Sequence, residues 1–340
     1  MNPGTEWLVA ESLWWDGRLR HGEALELHDG VPVAAVPAAR VPSGADRRRL
    51  PGTLLPGLCD AHAHSALVDL GAVRAGGIAA VWDLGGVPAA VAALADRAAR
   101  PGSGLPRIRH AGPFLTAPGG YPSDRPWAPP GSWREVRSPA DAAEAVGEAH
   151  AGGATLIKVT LHAGGPMPSP ATLTALVDAA GGFGLPVVAH AEGPGTVAAA
   201  YRAGAGVLAH TPWTEALDAG LVRDCAARMT WISTLDIHGW GSPDPAQETA
   251  IGNLRAFLSQ GGTVRYGTDL GNGPLPLAVN PRELRALQRA GMSPDDILTA
   301  MTAPAAEPCW IPGGLGLDPD TFADVLATAR VVGPEVRPRE

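Results

Sequence analysis

Six side chains, spread from residue 62 to residue 269, have the types and spacing to bind divalent cations. The segment Asp60-Ala61-His62-Ala63-His64 places two imidazoles at i and i+2. On a strand, side chains alternate with a period of two, so His62 and His64 point the same way and could chelate one ion from a single rigid element. His190 closes the apolar run Val187-Val188-Ala189, His210 closes Val207-Leu208-Ala209, and Asp269 closes Tyr266-Gly267-Thr268. Taken singly, each reads as a core or capping residue. Taken together, several imidazoles and a carboxylate at the ends of apolar runs form a ligand set suited to zinc, with manganese, iron or cobalt as other candidates.

The sixth side chain is Lys158, in Leu156-Ile157-Lys158-Val159. Of the 26 basic residues it is the only lysine. Arginine is never deprotonated in proteins, so only Lys158 offers an amine nucleophile. An amine in the middle of an apolar strand is costly when charged and unpaired. Once neutral, it can add CO2 to give a carbamate, an anionic oxygen ligand able to bridge two metals. The plainer alternative is a lysine whose stem snorkels to solvent.

The elements that position these groups follow from the apolar pattern. Strand-like runs fall at 58–64, 78–84, 107–115, 155–161, 186–191, 206–210, 229–235 and 263–269, with Ala-rich helical stretches at 88–100, 139–151 and 171–180 between them. Strands that alternate with helices and are apolar on both faces imply a parallel sheet. Eight such units predict an α/β fold, a closed (β/α)8 TIM barrel, in which catalytic groups gather at the C-terminal ends of the strands. No GxGxxG follows the first strand to support an open doubly wound sheet. Helices are expected at 281–290 and from Ser293-Pro294 onward, with Ser as cap and Pro in the first turn. Residues 1–55 read as short strands at Trp7–Val9, Ala24–Leu27 and Val31–Val33, with Asp16-Gly17 and Asp29-Gly30 as turn signals. The tail at 313–332 is too short to fold alone and is expected to pair with them. The densest loop, 113–133, follows the third run, where a barrel's pocket-shaping loops lie.

Composition narrows the class further. At 340 residues, 45% hydrophobic and 18% charged, the chain suits a well-buried globular fold. A net charge of −8 without a long basic run argues against nucleic acid. No run of ~18 apolar residues suggests a membrane span. The first residues lack a basic head followed by an apolar stretch. Cys59, Cys225 and Cys309 form no CxxC pair and fit a reducing cytoplasm. The expected partner is a small-molecule substrate, not a membrane or nucleic acid, and a homo-oligomer is compatible with all of this.

From Gly52-Thr53-Leu54-Leu55-Pro56-Gly57-Leu58-Cys59-Asp60-Ala61-His62-Ala63-His64, through Ile157-Lys158-Val159, Leu185-Pro186-Val187-Val188-Ala189-His190-Ala191 and Gly267-Thr268-Asp269, to Gly291-Met292-Ser293-Pro294, the chain resembles the amidohydrolase superfamily. Within it, the likeness is to the imidazolonepropionase-like and Xaa-Pro-dipeptidase-like group. The resemblance implies that His62, His64 and Asp269 bind the more buried of two metals. His190 and His210 would bind the second, and carboxylated Lys158 would bridge them. It also implies a composite β-sandwich from residues 1–55 and 311–340, around a hydrolase barrel at 56–310. The chain departs from the group's pattern at Glu192, where a His is frequent; at Gly119-Gly120-Tyr121, where Gly-Gly-His is usual; and at Asn280-Pro281-Arg282-Glu283-Leu284, where a His commonly precedes the helix. These departures touch substrate recognition and leave every expected ligand in place.

The reaction so implied is hydrolysis of an amide, lactam or dipeptide-like C–N bond by metal-activated hydroxide, with Asp269 as general acid/base. Tyr121 and His238, by their loop positions, are candidate donors to a developing oxyanion. Tryptophan outnumbers the other aromatics, 10 against 3 Tyr and 4 Phe, and Trp127, Trp213 and Trp240 follow strands 3, 6 and 7, so an aromatic-walled pocket is expected. The same ligands would serve a metal-dependent decarboxylase or other lyase, and an inactive scaffold is a third reading. His110, His150 and His162 have no evident partner in the sequence. Arg125 and Arg265 are candidates for a substrate carboxylate, or for ordinary salt bridges.

Overall fold

The computed structural model describes residues 5–333. At its centre the predicted apolar runs do form parallel strands, in two sheets. One holds Arg107–His110, Ala80–Asp83 and Cys59–Ala63 in that order. The other holds Trp133–Glu135, Phe114–Thr116, Ile157–His162, Val187–Glu192, Val207–Leu208, Thr230–Ile232 and Thr263–Arg265. The expected single ring is thus not what the strand pairing displays.

The chemistry of the breaks is plain. The third run was expected to be continuous, but Gly112 takes φ 72° and Pro113 has no N–H to give to a ladder, so it splits into two strands. The eighth run leaves extended geometry before Asp269, which has φ 60°. Single backbone hydrogen bonds cross both seams: Ala61 N to Tyr266 O at 2.9 Å, Leu270 N to His62 O at 2.9 Å, His64 N to Leu270 O at 2.8 Å, and Thr155 N to His110 O at 2.9 Å. The strand Trp133–Glu135, at the end of the long loop, was not anticipated.

Helices cover these sheets. Pro139–Ala151 and Pro170–Gly182 begin on Ser138 and Ser169, whose hydroxyls accept from the amides of Asp141 and Thr172, with Pro at the first helical position of each. Pro294–Met301 starts with a full capping box on Ser293 and Asp296. The strand Ile157–His162 is buried except at its last residue, as expected for a strand covered on both sides.

Both ends of the described chain contribute to two further sheets. Val31–Pro37, Glu23–His28, Thr5–Val9 and Arg47–Arg49 make one. Arg330–Val331, Cys309–Ile311, Thr53–Leu55, Ser12–Trp15 and Arg18–His21 make the other, so the tail pairs beside N-terminal strands. Leu8, Leu25 and Leu27 from the first pack with Leu13 and Leu54 from the second in one buried cluster. Asp16-Gly17 and Asp29-Gly30 have positive φ at both residues, the geometry of a tight hairpin turn. The hairpin strands on either side of Asp16-Gly17 and the tail helix Pro319–Leu326 escaped the sequence pattern because they are only 4, 4 and 8 residues long. Among the described residues no helix is long and apolar enough to cross a membrane.

Candidate metal centre

His62 lies on the strand Cys59–Ala63, with His64 just past its end. One buried carboxylate fixes that strand to the far end of the chain. Asp60 accepts from the amides of His62 and Thr268, each at 3.0 Å, and from the Thr268 hydroxyl at 2.6 Å. Burial pushes Asp60 up to about 7, against the pull of those donors. Asp269 follows directly, and its left-handed backbone is a strained state of order 1–3 kcal/mol for a non-glycine residue. That strain lies where Asp269 faces both histidines.

The hydrogen-bond partners fix where the imidazole protons must be. His62 Nδ1 lies 2.8 Å from the Ala209 carbonyl and His64 Nδ1 2.9 Å from the Gly85 carbonyl. A carbonyl only accepts, so each Nδ1 carries a hydrogen, and a neutral ring then presents a bare lone pair at Nε2. Those Nε2 atoms lie 3.1 Å and 3.2 Å from the same oxygen, Asp269 Oδ1. Asp269 Oδ1 is itself buried without a hydrogen-bond partner. Three acceptors therefore converge on one point. Only a cation, or an added proton on an imidazole, relieves the repulsion. Burial draws His62 and His210 well below the ordinary histidine range, so they resist that proton. Burial also opposes His64, but the adjoining Asp269 raises it above its usual value. Asp269, despite its burial, is held well below the carboxylate range by His62, His64 and His210. The donor set fits a divalent metal, with Nδ1–H···O=C bonds orienting the first two rings as ligating histidines require.

The other expected ligands surround the same point. His210 Nδ1 contacts Thr234 Oγ1 at 2.9 Å, and one ligand atom each from His62, His210 and Asp269 all fall within 4.8 Å of one another. Lys158 is 1% exposed. Burial lowers its amine to about 7, against the attraction of Asp269 and Asp83, so a substantial part is uncharged at neutral pH. His190 shares the inward face one strand over, in the register Thr160↔His190. Its Nε2 lies 3.0 Å from Glu192 Oε2.

Tyr121 stacks on His190 with ring centres 4.8 Å apart and planes 17° apart. Burial, with Asp269 and Glu192 nearby, raises its hydroxyl, which stays protonated as a donor must. A cavity of about 280 Å³ is lined by His64, Leu67, Tyr121, Trp127, Asp269 and Asn272, among others. Trp213 sets its edge against His190 and His210, at 5.9 and 5.3 Å. His238 lies against Trp213 at 5.1 Å and is lowered to about 4 by burial, so it is neutral at pH 7. Trp240 reaches the Asn272 carbonyl at 3.4 Å and covers Gly273. A larger cavity, about 530 Å³, lies beside Trp14, Trp15 and Pro304, among none of these ligands.

Several participants escaped the sequence reading. Asn272 donates to Asp269 Oδ2 at 2.9 Å, and Asp83 accepts from the amides of Ser65 and Gly85 beside His64. His162, which had no evident partner, has Nδ1 3.2 Å from Glu192 Oε2. Period-two counting from Lys158 to His162 and from His190 to Glu192 carried that signal, since both pairs face inward on adjacent strands. Arg265 does not reach toward a ligand site but donates to the Thr302 carbonyl and lies over Trp82.

No family model matches the sequence, and no curated protein does. Solved structures do match in fold. Ochratoxinase of A. niger aligns with a TM-score of 0.76 at 19% identity, over 95% of this chain and 93% of its own. A Xaa-Pro dipeptidase with bound methionine in its active site aligns at 0.76 and 16% identity, over 97% and 98%. An amidohydrolase aligns at 0.77 and 19% identity, over 98% and 100%.

Proposed function

On the amidohydrolase fold that this chain shares with those structures, we propose a metal-dependent hydrolase that cleaves a C–N bond of an amide, lactam or dipeptide-like substrate. The observation that carries this reading is the convergence of His62 Nε2, His64 Nε2 and an unpartnered Asp269 Oδ1 at a buried point beside a cavity. We read the eight parallel runs as a (β/α)8 barrel and the two terminal sheets as a composite sandwich. His62, His64 and Asp269 would hold one divalent ion, His190 and His210 a second, and Lys158, as its carbamate, would join the two. Zinc suits the donors best. Such ions supply Lewis acidity and make a water acidic enough to attack near neutral pH.

The protein's own groups do the rest. Asp269, with Oδ1 turned to the ion, would take the proton of the attacking water on Oδ2, which Asn272 orients, and then deliver it to the leaving nitrogen. Hydrolysis gives an acid and an amine, joined in one molecule when the substrate is a lactam, so water is the only co-reactant. Tyr121, protonated, stacked on His190 and lining the cavity, is a donor for charge growing on the carbonyl oxygen. His238 lies against Trp213, outside the residues that line that cavity, and is the alternative donor. Trp127 and Leu67, both partly exposed, line the cavity and offer an apolar surface to the substrate. A panel of dipeptides, N-acyl amino acids and lactams, offered to zinc-loaded protein and followed by amine release, tests the proposal. Release of CO2 from an acid without C–N cleavage would replace it with a decarboxylase.

A further inference from the structure

We propose that Glu192 is a positioning residue that fixes the tautomer of His190, leaving His190 Nδ1 free to face a metal. This rests on the metal reading above and extends it to residues outside that ligand set. Arg125 Nη2 lies 3.5 Å from His162 Nε2, and a guanidinium can only donate, so that nitrogen is the acceptor. The hydrogen of a neutral His162 is then on Nδ1, which faces Glu192 Oε2 at 3.2 Å, a contact less well aligned than a full hydrogen bond. The same carboxylate oxygen accepts from His190 Nε2 at 3.0 Å.

Glu192 Oε2 thus accepts from His190 Nε2 and has His162 Nδ1 close beside it, and His190 is left with its lone pair on the opposite nitrogen. A carboxylate behind a ligating imidazole holds the ring's orientation and raises its basicity. The register His162↔Glu192, with His190 two residues earlier on the same face, makes the arrangement a property of two adjacent strands rather than of a loop. Arg125 also lies over the Tyr121 ring at 5.5 Å, so the chain ends on the residue that stacks on His190.

Cobalt(II) titration of the metal-free full-length protein, monitored by visible absorption and chelator competition, separates the outcomes. Wild type is expected to take two ions. Glu192→Ala should weaken the second by about 10–100-fold and leave the first unchanged, as loss of an outer carboxylate does elsewhere. Glu192→Gln, which can still accept from Nε2 but lacks the charge, should fall between them. Two ions bound to Glu192→Ala with wild-type affinity would overturn the proposal. So would outright loss of an ion in both Glu192→Ala and His162→Ala at saturating cobalt, which would make these side chains direct ligands. Wild type binding no cobalt would instead remove the metal reading itself, and this inference with it. Equal weakening of both ions would mean a general structural role.

Discussion

Asp269 Oδ1 and His62 Nε2 face each other across 3.1 Å with no hydrogen to share, because the Ala209 carbonyl at 2.8 Å holds the imidazole's proton on the other nitrogen. Two lone pairs at that distance repel. The fold maintains the contact by closing Asp60 over both strands and by accepting positive φ at Asp269. Such a point is stable only when something positive occupies it.

Asp269→Asn should therefore lower kcat by about 10²–10⁴-fold, the usual worth of a general acid/base. Asparagine tolerates the left-handed backbone, so folding should be unimpaired. Steady-state kinetics with a thermal melt check both parts. Near-wild-type kcat would remove the proton-transfer role.

Metal affinity should fall as the pH is lowered. Asp269 raises His64 above its ordinary value, so in the metal-free protein His64 binds a proton that the ion must displace. Chelator competition from pH 8 down to pH 5 should show progressively weaker binding. His64→Asn should bind more weakly throughout, with a shallower slope.

Asp60 gives an independent stability signature. Its folded value is raised from 3.8 to about 7, so between those limits the folded state holds the proton more tightly than the unfolded one. Stability is then lost as pH rises through this window and levels off above it. Asp60→Asn, whose oxygen still accepts the two amides and whose NH2 can serve the Thr268 hydroxyl, should flatten that part of the curve. Urea melts of metal-free protein at pH 4.5, 6 and 8 measure it; an unchanged slope would contradict the assignment.

Lys158→Ala should reduce the bound metal from two equivalents to one and lower activity. Lys158→Arg should not restore either, because a guanidinium forms no carbamate. Elemental analysis of the three proteins decides. Unchanged stoichiometry in both variants would leave Lys158 as a buried neutral amine and nothing more.

Glu283 tests how the segment after the strand Thr230–Ile232 is held. It is fully buried, burial raises it to about 8, and it accepts from the amides of Leu235 at 3.0 Å and Asp236 at 2.7 Å. Glu283→Ala would orphan both amides and should cost about 2–4 kcal/mol. Glu283→Gln keeps an acceptor for one of the two amides and should cost less. Denaturant melts compare the two.

The sequence displayed the strands and the candidate ligands because both are written in short-range pattern. His62 and His64 are two residues apart; His190 lies within the strand Val187–Glu192, His210 two residues past Val207–Leu208, and Asp269 four residues past Thr263–Arg265. Ser293-Pro294 marked a helix start to the residue. What stayed hidden depends on backbone geometry or on contacts between strands. Nothing local shows that Asp269 adopts positive φ, or that Gly112-Pro113 divides the third run. Glu192 read as a departure because its meaning comes from His162, a neighbour only once two strands pair in register. Asp60 carried no signal of its own in the sequence, because its partner Thr268 is 208 residues away.

The most direct test is a crystal of the protein grown with zinc and bicarbonate, measured at the zinc edge. The proposal requires anomalous peaks within bonding distance of His62 Nε2, His64 Nε2 and Asp269 Oδ1, and of His190 and His210, with added density on Lys158 Nζ. A map without peaks, where Asp269 Oδ1 is met instead by a protonated imidazole or a water, would contradict it.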